Sequence, residues 1–322
     1  MKRYQRITPV VMSAMMAAGS MLAATGMPVM AATAGTAEQD NAITFTKEYD
    51  GDVVPTGETI SFYSEPYNSN PTDANLTVDD LTVAGKTNQV TVDLPSYTEV
   101  GVYRYIIGEE EGKTQGETYG VDDAIIVSVL VSYDDNGGLQ VEDFGIEADE
   151  DGKKEDTITN TYESGSLSVT KNVTGNLGDT NKEFNVTVTF NAESGKEVNG
   201  SIAYTDDGVS KEIKASDWNS GKAQAGITVK NGETVTFTNI PAGVTYEVVE
   251  TEANQDGYTT SYDFSDTDKK IANADQDTAA ITNNKGAEID TGINMNNLPY
   301  ILIAAGIAAV AVLAAVRRRF VK

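Results

Sequence analysis

Phe184-Asn185-Val186-Thr187-Val188-Thr189-Phe190 alternates apolar and polar side chains without a break. A strand sends successive side chains to opposite faces, so this run presents Phe184, Val186, Val188 and Phe190 to one side. The same period recurs outward from it in Ile43-Thr44-Phe45-Thr46, Gln89-Val90-Thr91-Val92 and Thr234-Val235-Thr236-Phe237. Ile125-Ile126-Val127-Ser128-Val129-Leu130-Val131 is more continuously apolar and predicts a central strand. Asp135-Asn136-Gly137-Gly138 and Asn231-Gly232 punctuate such runs as turns. Many short strands with turns between them, and no amphipathic helix, predict an all-β chain of sandwich architecture.

Both ends read as processing segments. Residues 1–34 begin with Lys2, Arg3 and Arg6, continue through an apolar stretch and end in Ala32-Thr33-Ala34, the order of a secretory signal peptide. Residues 298–316 carry no charge and are long enough for a transmembrane helix. Arg317, Arg318, Arg319 and Lys322 follow, a basic cytoplasmic tail over 317–322. The intervening length suits two domains. Their boundary is expected near Glu163-Ser164-Gly165-Ser166, read as a short polar linker, giving domains at 37–163 and 164–286.

The net charge is −26, and both processing segments are basic, so the exported part is more acidic still. Such a surface repels nucleic acid. The chain has no cysteine and no histidine. An exported protein without disulfides needs another source of stability. The same absence removes the usual zinc ligands, Ser-His-Asp triads and Cys-His dyads, so no cofactor or metal is expected and enzymatic turnover of an external substrate is disfavoured. The single tryptophan, Trp218, is expected to pack in a core or loop rather than form a binding surface.

A weak internal repeat links the halves. Ile43-Thr44-Phe45-Thr46-Lys47 parallels Leu167-Ser168-Val169-Thr170-Lys171. Gly101-Val102-Tyr103-Arg104-Tyr105-Ile106-Ile107-Gly108-Glu109 parallels Gly243-Val244-Thr245-Tyr246-Glu247-Val248-Val249-Glu250, and Ile158-Thr159-Asn160 parallels Ile281-Thr282-Asn283. By strand alternation, Lys47, Glu109, Asn160, Lys171, Glu250 and Asn283 all fall on the apolar side of their strands. One such Lys would ordinarily be a strand-end side chain reaching solvent. Two matching trios point elsewhere. Burial drives amine and carboxyl toward their neutral forms. A neutral amine is a nucleophile. A protonated Glu can polarise the Asn carbonyl and pass a proton to departing ammonia. The product is an uncharged secondary amide that tolerates an apolar site.

At these residues the chain resembles the backbone pilins of streptococci and related Gram-positive bacteria, built from two isopeptide-bonded Ig-like domains. Tyr246-Glu247-Val248-Val249-Glu250-Thr251-Glu252-Ala253, with Gly257-Tyr258, resembles the pilin E-box; the first half keeps only Tyr105 and Glu109 of that pattern. The resemblance implies two tandem Ig-like sandwiches, with Lys47 bonded to Asn160 under Glu109 and Lys171 bonded to Asn283 under Glu250. In that family the Lys lies on the first strand of its domain and the Asn on the last. Autocatalytic bond formation would then be a single turnover rather than enzymatic activity.

The resemblance also gives the chain's ends a meaning. Glu288-Ile289-Asp290-Thr291-Gly292 keeps the Thr-Gly of a sortase signal of the Leu-Pro-x-Thr-Gly type and departs from its Leu-Pro, within a signal and spacer at 287–297. Cleavage is expected between Thr291 and Gly292. Val54-Pro55-Thr56-Gly57 looks closer to that signal but has no apolar segment after it, so it reads as a loop. Lys153 and Lys154 take the place of the lysine that joins pilin subunits; a solvated charged loop without chemistry is the plainer alternative. The implied protein is a secreted, wall-anchored pilus backbone subunit. Its partners would be sortase, neighbouring pilins and peptidoglycan, with the membrane a partner only before sortase processing. A wall-anchored adhesin or stalk that does not polymerise is the competing function.

Overall fold

A computed structural model describes residues 43–287 except 52, 68–69 and 148–153. The signal segment, Thr291, Gly292, the apolar segment at 298–316 and Lys153 lie outside the described residues.

The first domain comprises β1 (Ile43–Asp50), β2 (Thr59–Ile60), β3 (Phe62–Pro66), β4 (Thr77–Val78), β5 (Leu81–Thr82), β6 (Thr87–Asp93), β7 (Gly101–Glu109), β8 (Glu117–Thr118), β9 (Ala124–Tyr133), β10 (Leu139–Ile146) and β11 (Thr157–Tyr162). The second comprises β12 (Ser164–Thr174), β13 (Phe184–Asn191), β14 (Ser201–Asp206), β15 (Val209–Lys214), β16 (Lys222–Val229), β17 (Thr234–Pro241), β18 (Thr245–Glu250), β19 (Thr259–Phe264) and β20 (Gln276–Asn284). A single 3-10 turn, Ala215–Asp217, is the one helical element among the described residues. The all-β expectation is met.

Each domain is a pair of main sheets closed over an apolar core, and β2 and β5 form a further two-stranded sheet in the first. Sheet order is β4-β6-β1-β11-β8 against β10-β9-β7-β3 in the first domain, and β15-β14-β17-β12-β20-β19 against β16-β13-β18 in the second. Inward residues at every second position fill the space between sheets: Phe45, Tyr103, Tyr105, Ile107, Val127 and Val129 in one core; Val169, Val188, Phe190, Phe237 and Tyr246 among those in the other. Burial of each aliphatic or phenyl side chain is worth ~1.5–3 kcal/mol. The apolar run at 125–131 becomes β9, flanked by β10 and β7. Trp218 is partly buried against the second core. The Thr56-Gly57 pair forms a turn between β1 and β2.

One departure from the sequence reading matters. Ser164-Gly165-Ser166 is not a linker: it opens β12, with Ser164 paired to Pro241 and Gly165 to Ile240, so Glu163 alone separates the last strand of one domain from the first of the next. Backbone pairing within the second domain overrides the polar composition. The domains also clasp each other through residues 113–117, ahead of and into β8. Gln115 donates from Nε2 to the Ala242 carbonyl (2.7 Å) and accepts from the Glu193 backbone (3.0 Å). The Asn199 side chain donates to the Thr114 hydroxyl at 2.7 Å. Gly116 sits at φ +81°, where a Cβ would meet the Glu163 carbonyl oxygen at 2.7 Å; only glycine fits.

Candidate functional site

In both domains the first and last strands lie side by side and run parallel. Lys47 pairs with Ile158 and Tyr49 with Asn160; Lys171 pairs with Ile281 and Val173 with Asn283. Each Asn is thus one inward position along from its Lys on the neighbouring strand. Glu109 ends β7 and Glu250 ends β18, both in the facing sheet. Strand alternation puts all six side chains inside, and none exceeds 2 % exposure.

In the first domain, Lys47 Nζ lies 3.3 Å from Glu109 Oε2, and Asn160 Nδ2 donates to Glu109 Oε1 at 2.7 Å. In the second, Lys171 Nζ lies 2.6 Å from Glu250 Oε2, and Asn283 Nδ2 donates to Glu250 Oε1 at 2.6 Å. Each Glu therefore bridges the amine and the amide. Burial lowers both lysines from their ordinary range, outweighing the nearby carboxylates. Burial likewise raises Glu109 against the opposing pull of Lys47. In the first trio both directions favour a neutral amine beside a neutral acid.

The amide orientation differs from the expected one. Glu109 and Glu250 meet the amide nitrogen rather than the carbonyl oxygen. In the first domain the Gly120 backbone N–H donates to Asn160 Oδ1 at 2.7 Å, and a backbone donor requires an oxygen there. The carbonyl is thus polarised by the main chain, leaving the carboxyl to face the nitrogen that would depart. Asn283 Oδ1 is buried with no hydrogen-bond partner among the described residues.

The surroundings separate the two sites. Lys171 Nζ sits 4.3 Å from the centre of the Phe184 ring, beside Val173 and Tyr258 in a small apolar cluster. The first site is lined with acids. Asn160 Nδ2 also donates to Glu117 Oε1 at 2.5 Å. Burial, and then Glu58, raise Glu117 to about 9, and Glu58 accepts from Tyr119 (2.6 Å), Thr114 (2.5 Å) and Tyr49 (3.2 Å). Neither Glu58 nor Glu117 stands out in the sequence. Glu58 follows a turn, and Glu117 begins a two-residue strand with no alternation around it. The proximity of Gly120 to Asn160 has no sequence signal either.

Thr291, Gly292 and Lys153 are outside the described residues, while Lys154 is exposed just before β11. No group of three or more potential metal-ligating side chains exists among the described residues.

Comparisons with known proteins agree with this architecture. A family described as a domain of unknown function, DUF7601, matches residues 165–285. A pilin of Streptococcus pyogenes serotype M1 is 29% identical over 238 residues, covering 70% of this chain and 69% of that protein. The pilus tip adhesin Cpa of Streptococcus pyogenes is 33% identical over 88 residues, 27% of this chain and 12% of the adhesin. The crystal structure of the major pilin from Streptococcus pyogenes shares the fold, with a TM-score of 0.53 and 24% identity over 76% of this chain and 99% of that one. In sequence and in fold this chain resembles the streptococcal-type backbone pilins.

Proposed function

We propose that this protein is a backbone subunit of a sortase-assembled pilus on a Gram-positive cell surface, with each domain closed by its own amide: Lys47 to Asn160 and Lys171 to Asn283. The observation that carries the reading is the repeated burial of Lys, Glu and Asn, in contact through the Glu, across the parallel first and last strands of both domains. The pilin likeness supplies the assembly context.

In each trio Nζ of the neutral lysine attacks Cγ of the Asn. The Glu takes a proton from the amine and returns one to Nδ2, ammonia leaves, and a secondary amide remains. That bond links the strand at which the chain enters the domain to the strand at which it leaves. Tension along the fibre then passes through covalent bonds rather than by unzipping strands. If the loop of about 110 residues behaves like one closed by a disulfide, each bond adds ~4–5 kcal/mol of stability through the unfolded state.

Assembly follows from the chain's ends. Sortase cleaves between Thr291 and Gly292, Thr291 carries the acyl group, and Lys153 or Lys154 of the next subunit accepts it. Exposure of Lys154 supports that part. The final subunit joins peptidoglycan.

Intact mass of a fragment spanning 37–285 tests the crosslinks: each bond expels one ammonia, so the expected deficit is about 34 Da. A mass equal to the translated sequence defeats the covalent reading. On cells, an SDS-resistant ladder that collapses when Lys153 and Lys154 are both replaced supports polymerisation. A single band in the wild type favours the unpolymerised adhesin or stalk.

A further inference from the structure

We infer that the first domain forms its amide with two catalytic carboxyl groups, Glu117 serving as the acid that protonates the departing nitrogen of Asn160 while Glu109 receives the protons of Lys47. The inference rests on the crosslinking reading above and deepens it for one of the two sites.

Three observations carry it. First, Asn160 Nδ2 lies between two acids, 2.7 Å from Glu109 Oε1 and 2.5 Å from Glu117 Oε1, whereas Lys47 Nζ meets Glu109 alone of the two at 3.3 Å. Proximity divides the work: Glu109 touches nucleophile and leaving group, Glu117 only the leaving group. Second, Glu117 and Glu58 are both buried, and two carboxyl groups held near one another away from water favour the protonated form of one. Tyr49, Tyr119 and Thr114 all donate to Glu58. Burial raises both tyrosines, which keeps them as donors. Glu117 is the carboxyl that keeps a proton here, held up at about 9 by burial and by Glu58. Third, Gly120 N–H already occupies Asn160 Oδ1, so negative charge developing on that oxygen has a donor and neither acid is needed there.

The step balances. Transfer of one proton from Lys47 to Glu109 within the buried pair gives the neutral amine beside the neutral acid. Nζ then forms a bond to Cγ of Asn160. As Cγ–Nδ2 breaks, Glu117 gives its proton to Nδ2 and ammonia leaves. Glu109 yields its proton to the Glu117 carboxylate by way of the departing ammonia, which both carboxyl groups touch, and takes the second Nζ proton in its place. The products are one secondary amide, two neutral carboxyl groups and ammonia, with no net change in charge.

Among the described residues the second domain has no counterpart. The strand beside β11 begins with Glu117, but the strand beside β20 is preceded by Tyr258, whose hydroxyl accepts from the Asp179 backbone. Lys171–Asn283 thus serves as an internal reference in the same molecule.

The full exported chain is synthesised in a cell-free system and sampled over time, and the two crosslinks are counted separately by peptide mapping. Glu117→Gln is expected to slow the Lys47–Asn160 bond about a hundredfold, the lower end for loss of a general acid, with Lys171–Asn283 unchanged. Equal rates for that variant and the wild type overturn the inference and leave the proposed function standing. Absence of both bonds in the wild type overturns the proposed function itself, and this inference with it. Should the variant fail to fold, the wild-type pH profile decides. The first bond is expected to slow relative to the second as pH rises through about 9; a constant ratio of the two rates overturns the inference.

Discussion

The two sites share a strand pair and a trio, and part company over what seals them. The second domain closes its trio with Phe184, Val173 and Tyr258, a dry apolar lid, leaving one carboxyl in contact with both reacting side chains. The first domain closes its trio with Glu117, Glu58, Tyr119 and Tyr49, a hydrogen-bonded polar lid tied to the neighbouring domain through Thr114 and Asn199. The difference teaches that a buried Lys–Glu–Asn trio tolerates two environments: one apolar, and one lined with further acids and tyrosines.

The largest effect comes from removing a bond outright. Asn283→Ala is expected to restore about 17 Da and to lower the unfolding free energy of the second domain by ~4–5 kcal/mol, and Asn160→Ala to do the same in the first, measured by intact mass and denaturant melts. Next come the bridging acids. Glu250→Ala should abolish the second bond, because no other acid among the described residues hydrogen-bonds Asn283. Glu109→Ala should leave slow residual closure of the first, since Glu117 still meets Asn160 Nδ2. Equal and complete loss in both would erase the contrast.

A pH series sharpens it further. Native Glu117 keeps its proton up to about 9, whereas the unfolded chain releases it near 4.5. The native state therefore binds more protons between those values, and this group's contribution to stability is full below about 4.5 and fades as pH rises through about 9. Urea melts of the first domain in the Asn160→Ala background at pH 5, 7 and 9.5 should show midpoints falling with pH, more than those of the second domain in the Asn283→Ala background. The smallest expected effect is Asn199→Ala. Loss of its hydrogen bond to Thr114 should slow only the first bond, by roughly two- to threefold in the time course, the worth of a weak hydrogen bond.

Much of the fold and the six residues of the two candidate trios were legible in the linear chain. Alternation put Lys47, Glu109, Asn160, Lys171, Glu250 and Asn283 on the apolar sides of strands, and burial follows that placement. The polar composition at 164–166 misled, because a strand that pairs on both sides can carry Ser-Gly-Ser when its backbone bonds are satisfied. Glu58 and Glu117 were illegible for a related reason: turn and edge residues have no period, so nothing local distinguishes a solvated acid from one sealed beneath a tyrosine cluster.

Side-chain direction along a strand is a local property, set by the pleat, and so the amino-acid order alone determined which groups would be inward and which charges would need neutralising. Tertiary structure alone decided which inward groups meet, which end of each amide faces the acid, and that a second carboxyl joins one site and not the other. Those outcomes depend on pairings across long separations, such as Glu117 with Asn160 at 43 residues and Asn199 with Thr114 at 85, and no local pattern encodes a contact that two distant segments make only after both have folded.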